Sequence, residues 1–256
     1  MKKIGIVGGV AWPSTADYYR LICSHANAHF KDLGVEPPYP TPPITIESLV
    51  MHETRKLRGK PGDGEEGWVE FDAAFRDAFK RLEQAGCDFG LIASNTPHAR
   101  LHAIREGLDL PIISILEETA RATKDMGVEK AIILGTSVTM RGDGYPKILR
   151  EHDIEPCPKL PDDLIDEMQR VIDTEFYEGA SDAGRGHLLG LCEEHVKDRD
   201  STAVLLACTE LPLAFPRNSD NSHFDADGFR FVNTTAAHAL AALNMSLGLS
   251  DEAVPA

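Results

Sequence analysis

Short runs of β-branched and other apolar residues alternate with longer stretches of helical periodicity along most of this chain of 256 residues. A strand that is joined to the next by a helix returns in the same direction. The alternation therefore favours an α/β fold, in which helices flank a parallel sheet. The predicted strands are Ile4–Val7, Ile44–Ile46, Phe89–Ala93, Ile112–Ile115, Ala131–Leu134 and Ala203–Ala207.

The segment Trp68–Ala85 has a clear helical pattern. Its large apolar side chains recur at intervals of three and four residues, so that they share one face of a helix. We expect this face to pack against the sheet. The residues on it are Phe71, Phe75, Phe79 and Leu82.

Two strand patterns occur twice in the chain. The segment Lys2–Gly8 resembles Glu129–Gly135, and Phe89–Thr96 resembles Ala203–Thr209. In each case an opening strand is followed later by a strand that ends in a small nucleophilic residue. We therefore predict two similar α/β halves.

The length of the chain fits two small domains, each with a core of its own. We assign residues 1–115 and 213–256 to an N-terminal α/β domain and residues 116–212 to a C-terminal α/β domain. The helical segment Asn233–Leu247 is expected to return to the first domain.

The charge balance excludes two classes of partner. The chain has 41 acidic and 26 basic residues and a formal net charge of -15, so its surface repels nucleic acids and anionic membranes. No apolar run approaches the roughly 20 residues that span a bilayer. Gly8 and Gly9 interrupt the apolar start before it reaches the length of a signal peptide. We expect a cytoplasmic protein.

Cys208 is the first candidate catalytic residue. The chain has five cysteines and no C-x-x-C pair, which favours free thiols over disulfides or a zinc site. Cys208 follows a predicted strand, and residues at the carboxyl ends of parallel strands face the ligand crevice. A thiol, whose ordinary pKa is about 8.5, can exchange a proton if a nearby helix N-terminus lowers that pKa. The alternative is an inert buried cysteine.

Ser94 ends the strand that matches the one before Cys208. The residues Ser94-Asn95-Thr96 favour either a helix N-cap or a cradle for a carboxylate, and the two share one geometry. If the halves face each other, we expect Ser94 and Cys208 to reach one cleft from opposite sides. A serine hydroxyl is a weaker acid and base than a thiol, so Ser94 is not equivalent to Cys208.

Dinucleotide binding, a zinc site and a serine hydrolase are all less well supported by the motifs. The Gly5–Gly9 turn does not fit the dinucleotide-binding pattern G-x-G-x-x-G, and it is better explained as a tight turn that a substrate can approach. The pairs His25/His29 and His98/His102 have helical spacing, but no carboxylate completes a zinc motif. The sequence has no G-x-S-x-G elbow, the turn that carries the nucleophile of many serine hydrolases. The motifs therefore favour neither a metal site nor a dinucleotide cofactor.

The chain resembles the aspartate/glutamate racemase superfamily in four motifs. Residues 4–15 resemble its opening Gly-Gly-Met-x-x-x-x-Thr turn, and residues 94–98 its Cys-Asn-Thr-x-His motif with Ser in place of Cys. Residues 208–210 match its Cys-Thr-Glu motif, and residues 135–140 its Gly-Thr-x-x-Thr-Met stretch.

The resemblance implies two α/β domains related by a pseudo-twofold axis, a homodimer, no cofactor, and two facing acid/base residues that act on an amino acid. Carried over, Cys208 and Ser94 are the catalytic residues. The candidate substrate-binding residues are Trp12, Glu53, Asn95, Thr96, Thr136, Thr139, Glu167, Thr209 and Glu210.

Two departures from the family pattern bear on function. Some relatives with Thr at the position of Ser94 still racemise, whereas others keep one cysteine and decarboxylate. An engineered replacement would give the same sequence. Where racemases for acidic amino acids place Arg or Lys, this chain has Glu53 and Asp166 or Glu167. Such acids repel a distal carboxylate and suit a neutral or cationic group.

Three functions remain open at this point. The first is an amino-acid racemase that exchanges the α-proton through Cys208. The second is a single-base decarboxylase or β-eliminating lyase of a small carboxylate. The third is a non-catalytic protein that binds a small carboxylate.

Overall fold

The computed structural model describes residues 1–59, 63–176 and 179–249. The chain divides into two compact units. The first holds residues 1–114 together with residues 238–249, and the second holds Ile115–Ala237. The helix Thr234–Leu247 begins in the second unit and continues in the first.

The first unit consists of strands and helices that alternate along the chain. The strands are β1 (Ile4–Gly8), β2 (Ile44–Ser48) and β3 (Phe89–Ile92). The helices are α1 (Trp12–Asp32), α2 (Met51–Leu57), α3 (Val69–Gln84) and α4 (Leu101–Ile104), with short 3₁₀ segments at Glu65–Trp68 and Thr96–Arg100.

The sheet of the first unit is parallel and has the order β2-β1-β3. Ile4 lies opposite Ile44 on one side and Phe89 on the other. The predicted apolar face of α3 is confirmed, since all four of its large side chains are buried in one core with Val7 and Ile92. Burial of each such side chain contributes about 1.5–3 kcal/mol.

The second unit has the larger sheet. Its strands are β4 (Lys130–Gly135), β5 (Glu155–Pro156), β6 (Thr202–Ala207), β7 (His223–Ala226) and β8 (Phe229–Asn233). Its helices are α5 (Ile115–Asp125), α6 (Ser137–Arg141), α7 (Gly144–Glu151), α8 (Asp162–Val171), α9 (Asp182–His195) and the start of α10 (Thr234–Leu247), with a π-helical segment at Ile172–Phe176 and a 3₁₀ segment at Leu211–Ala214.

The order of the second sheet is β5-β4-β6-β8-β7, in which only β7 runs antiparallel to its neighbour in the described part of the chain. The opening strand lies between the next two in each unit, since β1 is flanked by β2 and β3 as β4 is flanked by β5 and β6. The predicted α/β class with parallel sheets flanked by helices is confirmed, and the internal repeat recurs in the strand order.

The predicted place of residues 213–237 is wrong. They belong to the second unit, because β8 pairs in parallel with β6 and places Asn233 opposite Leu206. Of the described residues after 213, those from His238 to residue 249 return to the first unit. The predicted helix Asn233–Leu247 is confirmed, and Asn233 caps it by accepting hydrogen bonds from two backbone N–H groups at 3.1 Å.

The predicted strand Ile112–Ile115 is shorter than expected. Ile112 forms only an isolated parallel bridge with Gly90, and Ile115 already begins α5. The N–H of Ile113 donates to the carbonyl oxygen of Gly90 at 2.9 Å, so pairing beside β3 ends there.

Candidate active site

The Ser94 turn lies at the carboxyl end of β3. The N–H of Ala93 donates to the Val7 carbonyl oxygen at 2.9 Å, which is the last bond between β3 and β1. Ser94 is half-buried, and its own N–H turns back to the Ile92 carbonyl oxygen at 2.8 Å. Because β1 and β3 are parallel, Ser94 shares an edge of the sheet with Gly9, which follows β1.

Asn95 and Thr96 come directly after Ser94 and are both buried. Thr96 begins the 3₁₀ segment Thr96–Arg100, so the expected helical start after Ser94 is a 3₁₀ turn and not an α-helix. The carboxylate-binding role of Asn95 and Thr96 stays a prediction.

His98 fixes the backbone of the Ser94 turn. Its Nδ1 lies 2.8 Å from the carbonyl oxygen of Ser94, and because that oxygen only accepts, Nδ1 carries the proton. Burial lowers the pKa of His98 to about 4, so the ring is neutral at pH 7. The contact reaches the main chain of Ser94, and His98 therefore acts on the position of the turn.

A second buried histidine packs against the first. His238 meets His98 edge to face, with 5.4 Å between the ring centroids. Its Nε2 donates to the Ile113 carbonyl oxygen at 3.1 Å, so its Nδ1 accepts from the Tyr18 hydroxyl at 2.8 Å. Burial, and then the nearby His98, keep the pKa of His238 well below its usual range. The Ser94 turn thus rests on a network of neutral rings.

Arg100 anchors the other end of the same 3₁₀ segment. Its guanidinium donates to the buried carboxylate of Asp72 at 2.6 Å and to the carboxylate of Glu65 at 2.6 and 2.9 Å. It also lies over the ring of Trp68, 5.7 Å from the centroid. The hydrogen bonds from Arg100 to these carboxylates raise its pKa further. The segment after Ser94 is therefore held at both ends.

The Cys208 turn occupies the corresponding place in the second unit, at the carboxyl end of β6. In the register of β4 and β6, Gly135 lies opposite Ala207. A Cβ atom on Gly135 would come within 2.4 Å of the Ala207 carbonyl oxygen, so this close approach requires glycine. The pairing brings Thr136, which follows β4, to the same edge as Cys208.

Cys208 is 5% exposed, and its thiol points at a carboxylate. Sγ donates to Oε2 of Glu210 at 2.9 Å, and the hydroxyl of Thr209 donates to the same oxygen at 3.0 Å. Burial, followed by the negative charge of Glu210, raises the pKa of Cys208 well above its ordinary value. The expectation that a helix N-terminus lowers this pKa is wrong, because burial and the negative charge of Glu210 both raise it.

A chain of hydrogen bonds extends from the Thr136 turn. The hydroxyl groups of Thr136 and Thr139 are 3.0 Å apart. The N–H of Ser137 donates to Oε1 of Gln169 at 2.9 Å, and Nε2 of Gln169 donates to Asp173 at 3.0 Å. Sequence reasoning missed Gln169 and Asp173. The motifs carry no signal for them, since they reach this edge from the end of α8 and the π-helical segment after it.

The remaining candidates lie on exposed or half-buried positions within their units. Trp12 is 69% exposed at the start of α1, and Glu53 is exposed on α2. Glu167 on α8 forms an ion pair with Arg170 at 2.6 Å, and the hydrogen bond from that guanidinium lowers the pKa of Glu167. Their roles in binding a substrate stay predictions.

The described residues contain neither a metal-binding group nor a membrane-spanning helix. None of them form a group of three His, Cys, Asp or Glu side chains able to hold a metal ion. Within the same ranges, no helix combines the length and apolar character needed to cross a membrane.

Residues 7–242 match the family model described as Asp/Glu/Hydantoin racemase. The chain belongs to this family. The match covers both turns described above, so the resemblance noted in the sequence is confirmed at the level of the family.

Individual relatives agree with this assignment. The chain is 33% identical to the broad specificity amino-acid racemase RacX of Bacillus subtilis over 81 residues. This stretch covers 32% of this chain and 35% of the relative. Over 163 residues it is 30% identical to a glutamate racemase of Listeria monocytogenes, covering 60% of this chain and 55% of the relative. The matches thus span about a third to a half of these relatives' lengths.

A solved structure matches over nearly the whole chain. It is an aspartate racemase homologue from Pyrococcus horikoshii, with a TM-score of 0.75 and 27% identity over 96% of this chain and 100% of that one. The two-unit α/β architecture of this chain is therefore that of the racemase family.

Proposed function

We propose that this chain is a cofactor-independent amino-acid racemase in which Cys208 exchanges the proton on the α-carbon. The observation that carries the proposal is the hydrogen bond of 2.9 Å from the Cys208 thiol to the carboxylate of Glu210. A thiol removes a proton only as thiolate, and the Glu210 carboxylate, in direct contact, is the base positioned to accept the thiol proton.

The proposed reaction begins with transfer of the Sγ proton of Cys208 to Glu210. The thiolate then takes the α-proton, which regenerates the thiol and leaves a carbanion beside the substrate carboxylate. A proton that arrives on the opposite face of the α-carbon gives the other enantiomer. We assign that delivery to the hydroxyl of Ser94, directly or through a water molecule. Ser94 then recovers a proton from solvent, and Glu210 releases to solvent the proton that it took from Cys208, so that both turns return to their starting protonation states.

The carboxylate of the substrate has a proposed set of ligands at the two turns. Asn95 and Thr96 follow Ser94, and Thr136 and Thr209 lie at the edge that carries Cys208. Hydroxyl, amide and backbone N–H donors stabilise both the carboxylate and the negative charge that develops beside it during proton removal.

The family resemblance also supports three broader expectations. We propose that the active form is a homodimer, that it is cytoplasmic, and that its partners are small carboxylates or amino acids. Light scattering after size-exclusion chromatography tests the first of these, with a mass of twice 28.0 kDa as the expected result.

A decarboxylase or β-eliminating lyase is the second candidate function. It is favoured by the difference between the two turns, since a thiol at Cys208 and an alcohol at Ser94 provide only one strong acid/base. Such a reaction needs one base, whereas racemisation needs groups on both faces of the α-carbon.

The test is incubation of single enantiomers of acidic, neutral and basic amino acids in heavy water. A racemase places deuterium on the α-carbon and produces the opposite enantiomer. A lyase or decarboxylase instead releases an alkene or carbon dioxide. We expect Cys208→Ala to lower the exchange rate by at least about 100-fold, since general acid–base catalysis typically contributes that much or more.

The matched control is Cys157→Ala, which removes a half-buried thiol of the same unit. We expect it to exchange at the wild-type rate. Binding of small carboxylates that is unchanged in Cys208→Ala, with no exchange, alkene or carbon dioxide from the wild-type chain, would support the third hypothesis, a protein that binds small carboxylates without catalysis.

A further inference from the structure

Asp173 lies in an unusual stretch of backbone. Helix α8 ends at Val171 and continues as the π-helical segment Ile172–Phe176. A single π turn widens the helix and changes the direction of its side chains, and such turns occur often at functional sites. The exposed side chain of Asp173 is the second residue of this turn.

Gln169 ties that carboxylate to the Thr136 turn. The amide oxygen of Gln169 accepts from the N–H of Ser137 at 2.9 Å, and its amide nitrogen donates to Oδ2 of Asp173 at 3.0 Å. Both ends of the Gln169 amide are therefore engaged, which fixes its orientation. The result is that Asp173 is held one side chain away from the edge of the sheet that carries Cys208.

The charged groups that act on the Cys208 thiol are two carboxylates, those of Glu210 and Asp173. Glu210 accepts its hydrogen bond, and the carboxylate of Asp173 acts in the same direction as that of Glu210 by raising the thiol's pKa. Two arginines near α8 are engaged with other acids. Arg141 binds Asp166 at 2.8 Å, and Arg170 binds Glu167 at 2.6 Å.

We propose that Asp173, held by Gln169, is a specificity-determining residue that binds a cationic group of the substrate, so that amino acids with basic side chains are preferred over acidic ones. The proposal rests on the racemase function proposed above. An acidic substrate carries a second carboxylate, which the carboxylates of Glu210 and Asp173 repel, whereas they attract an ammonium or guanidinium group.

The first test compares L-lysine and L-arginine with L-aspartate and L-glutamate as substrates for deuterium exchange by the wild-type chain. We expect kcat/KM to be at least about tenfold higher for the basic pair, the effect of one charge interaction near a protein surface. Equal or higher values for the acidic pair would overturn the proposal while leaving the racemase function intact.

The second test uses Asp173→Asn, which keeps the shape of the side chain and removes its charge. We expect the preference for basic substrates to fall by about tenfold, mainly through a higher KM for L-lysine. The control Asp163→Asn removes an exposed charge from the first turn of α8 and should leave the preference unchanged. An unchanged preference in Asp173→Asn would overturn the assignment.

A binding measurement separates the two proposals. Calorimetric titration of the wild-type chain with L-lysine and with L-aspartate needs no catalysis. Tighter binding of L-lysine without any exchange would support the specificity and reject the racemase function. Tighter binding of L-aspartate would reject the specificity whatever the exchange assay shows.

Discussion

At the scale of single residues, the protonation state of Cys208 decides what the second unit can do. The thiol is buried and donates to Glu210, so the resting form is a neutral thiol next to a base. Removal of the negative charge should lower the pKa of Cys208, because that charge is one of the causes of its elevation. We therefore predict that Glu210→Gln shifts the pH at which Cys208 becomes a thiolate to a lower value.

The measurement is the rate at which a small reagent alkylates Cys208, followed by mass spectrometry across pH. The control Glu194→Gln removes an exposed acid on α9 and should leave the profile of Cys208 in place. A profile that stays at its wild-type pH or moves upward in Glu210→Gln would reject the role given to this carboxylate.

Ser94 allows a complementary experiment at the first unit's turn. The contact from His98 reaches the carbonyl oxygen of Ser94, so replacement of the side chain leaves that contact in place. We predict that Ser94→Cys accelerates racemisation, because a thiol exchanges protons far more readily than an alcohol. Polarimetry on a single enantiomer measures the rate.

The control for that experiment is Ser94→Ala, which has no exchangeable side-chain proton. We expect it to racemise more slowly than the wild-type chain. If Ser94→Ala keeps the full rate and Ser94→Cys brings no gain, Ser94 has no part in proton transfer.

At the scale of elements, the 3₁₀ segment after Ser94 depends on the buried ion pair between Arg100 and Asp72, whose side chains are 10% and 5% exposed. Loss of one member leaves the other charge buried and uncompensated, which typically costs 3–5 kcal/mol. We predict that Arg100→Leu lowers the free energy of unfolding by about 3 kcal/mol in urea titrations.

The matched control is Arg81→Leu, which breaks an ion pair with Glu47 that is largely open to solvent. Exposed pairs contribute at most about 1 kcal/mol, so this variant should differ little from the wild-type chain. A loss in Arg100→Leu as small as that of the control would show that the buried pair does not hold the segment.

The two buried histidines make the stability of this region depend on pH. The pKa of His98 is lowered to about 4, and that of His238 lies well below its ordinary value. Below about pH 6.5 the unfolded chain binds protons that the folded chain excludes. The stability contributed by the neutral rings is therefore present at pH 7 and is lost as the pH falls toward about 4.

Urea titrations at pH 7 and pH 5 measure this loss. We predict a smaller difference between the two pH values for His98→Asn than for the wild-type chain, because the variant has one titrating ring fewer. Equal differences in the two proteins would mean that His98 does not titrate with unfolding.

At the scale of the whole molecule, much of the fold follows from short-range patterns. The alternation of strand and helix predicted the parallel sheets, and the repeated strand pattern predicted two similar halves. The strand order that the two units share is seen only in the structure. The β7–β8 hairpin escaped prediction although Asp227 and Gly228, both with positive φ, form a typical hairpin turn between apolar residues. That omission placed residues 213–237 in the wrong unit.

The site was predictable only where it consists of consecutive residues. Ser94 and Cys208 end strands whose apolar runs are evident in the sequence. The raised pKa of Cys208 was not predictable, because it depends on burial and on the side chain of Glu210 folding back over two residues. Gln169 and Asp173 arrive from a separate helix, and no spacing in the sequence connects them to Cys208.

The central claim is that this chain inverts an α-carbon by proton exchange with Cys208. Its most direct test is nuclear magnetic resonance of a single amino-acid enantiomer incubated with the wild-type chain in heavy water, combined with chiral chromatography. We predict that the opposite enantiomer appears already carrying deuterium at the α-carbon, and that Cys208→Ala abolishes both signals. Retention of the α-proton and of the starting configuration with acidic, neutral and basic amino acids alike would contradict the claim.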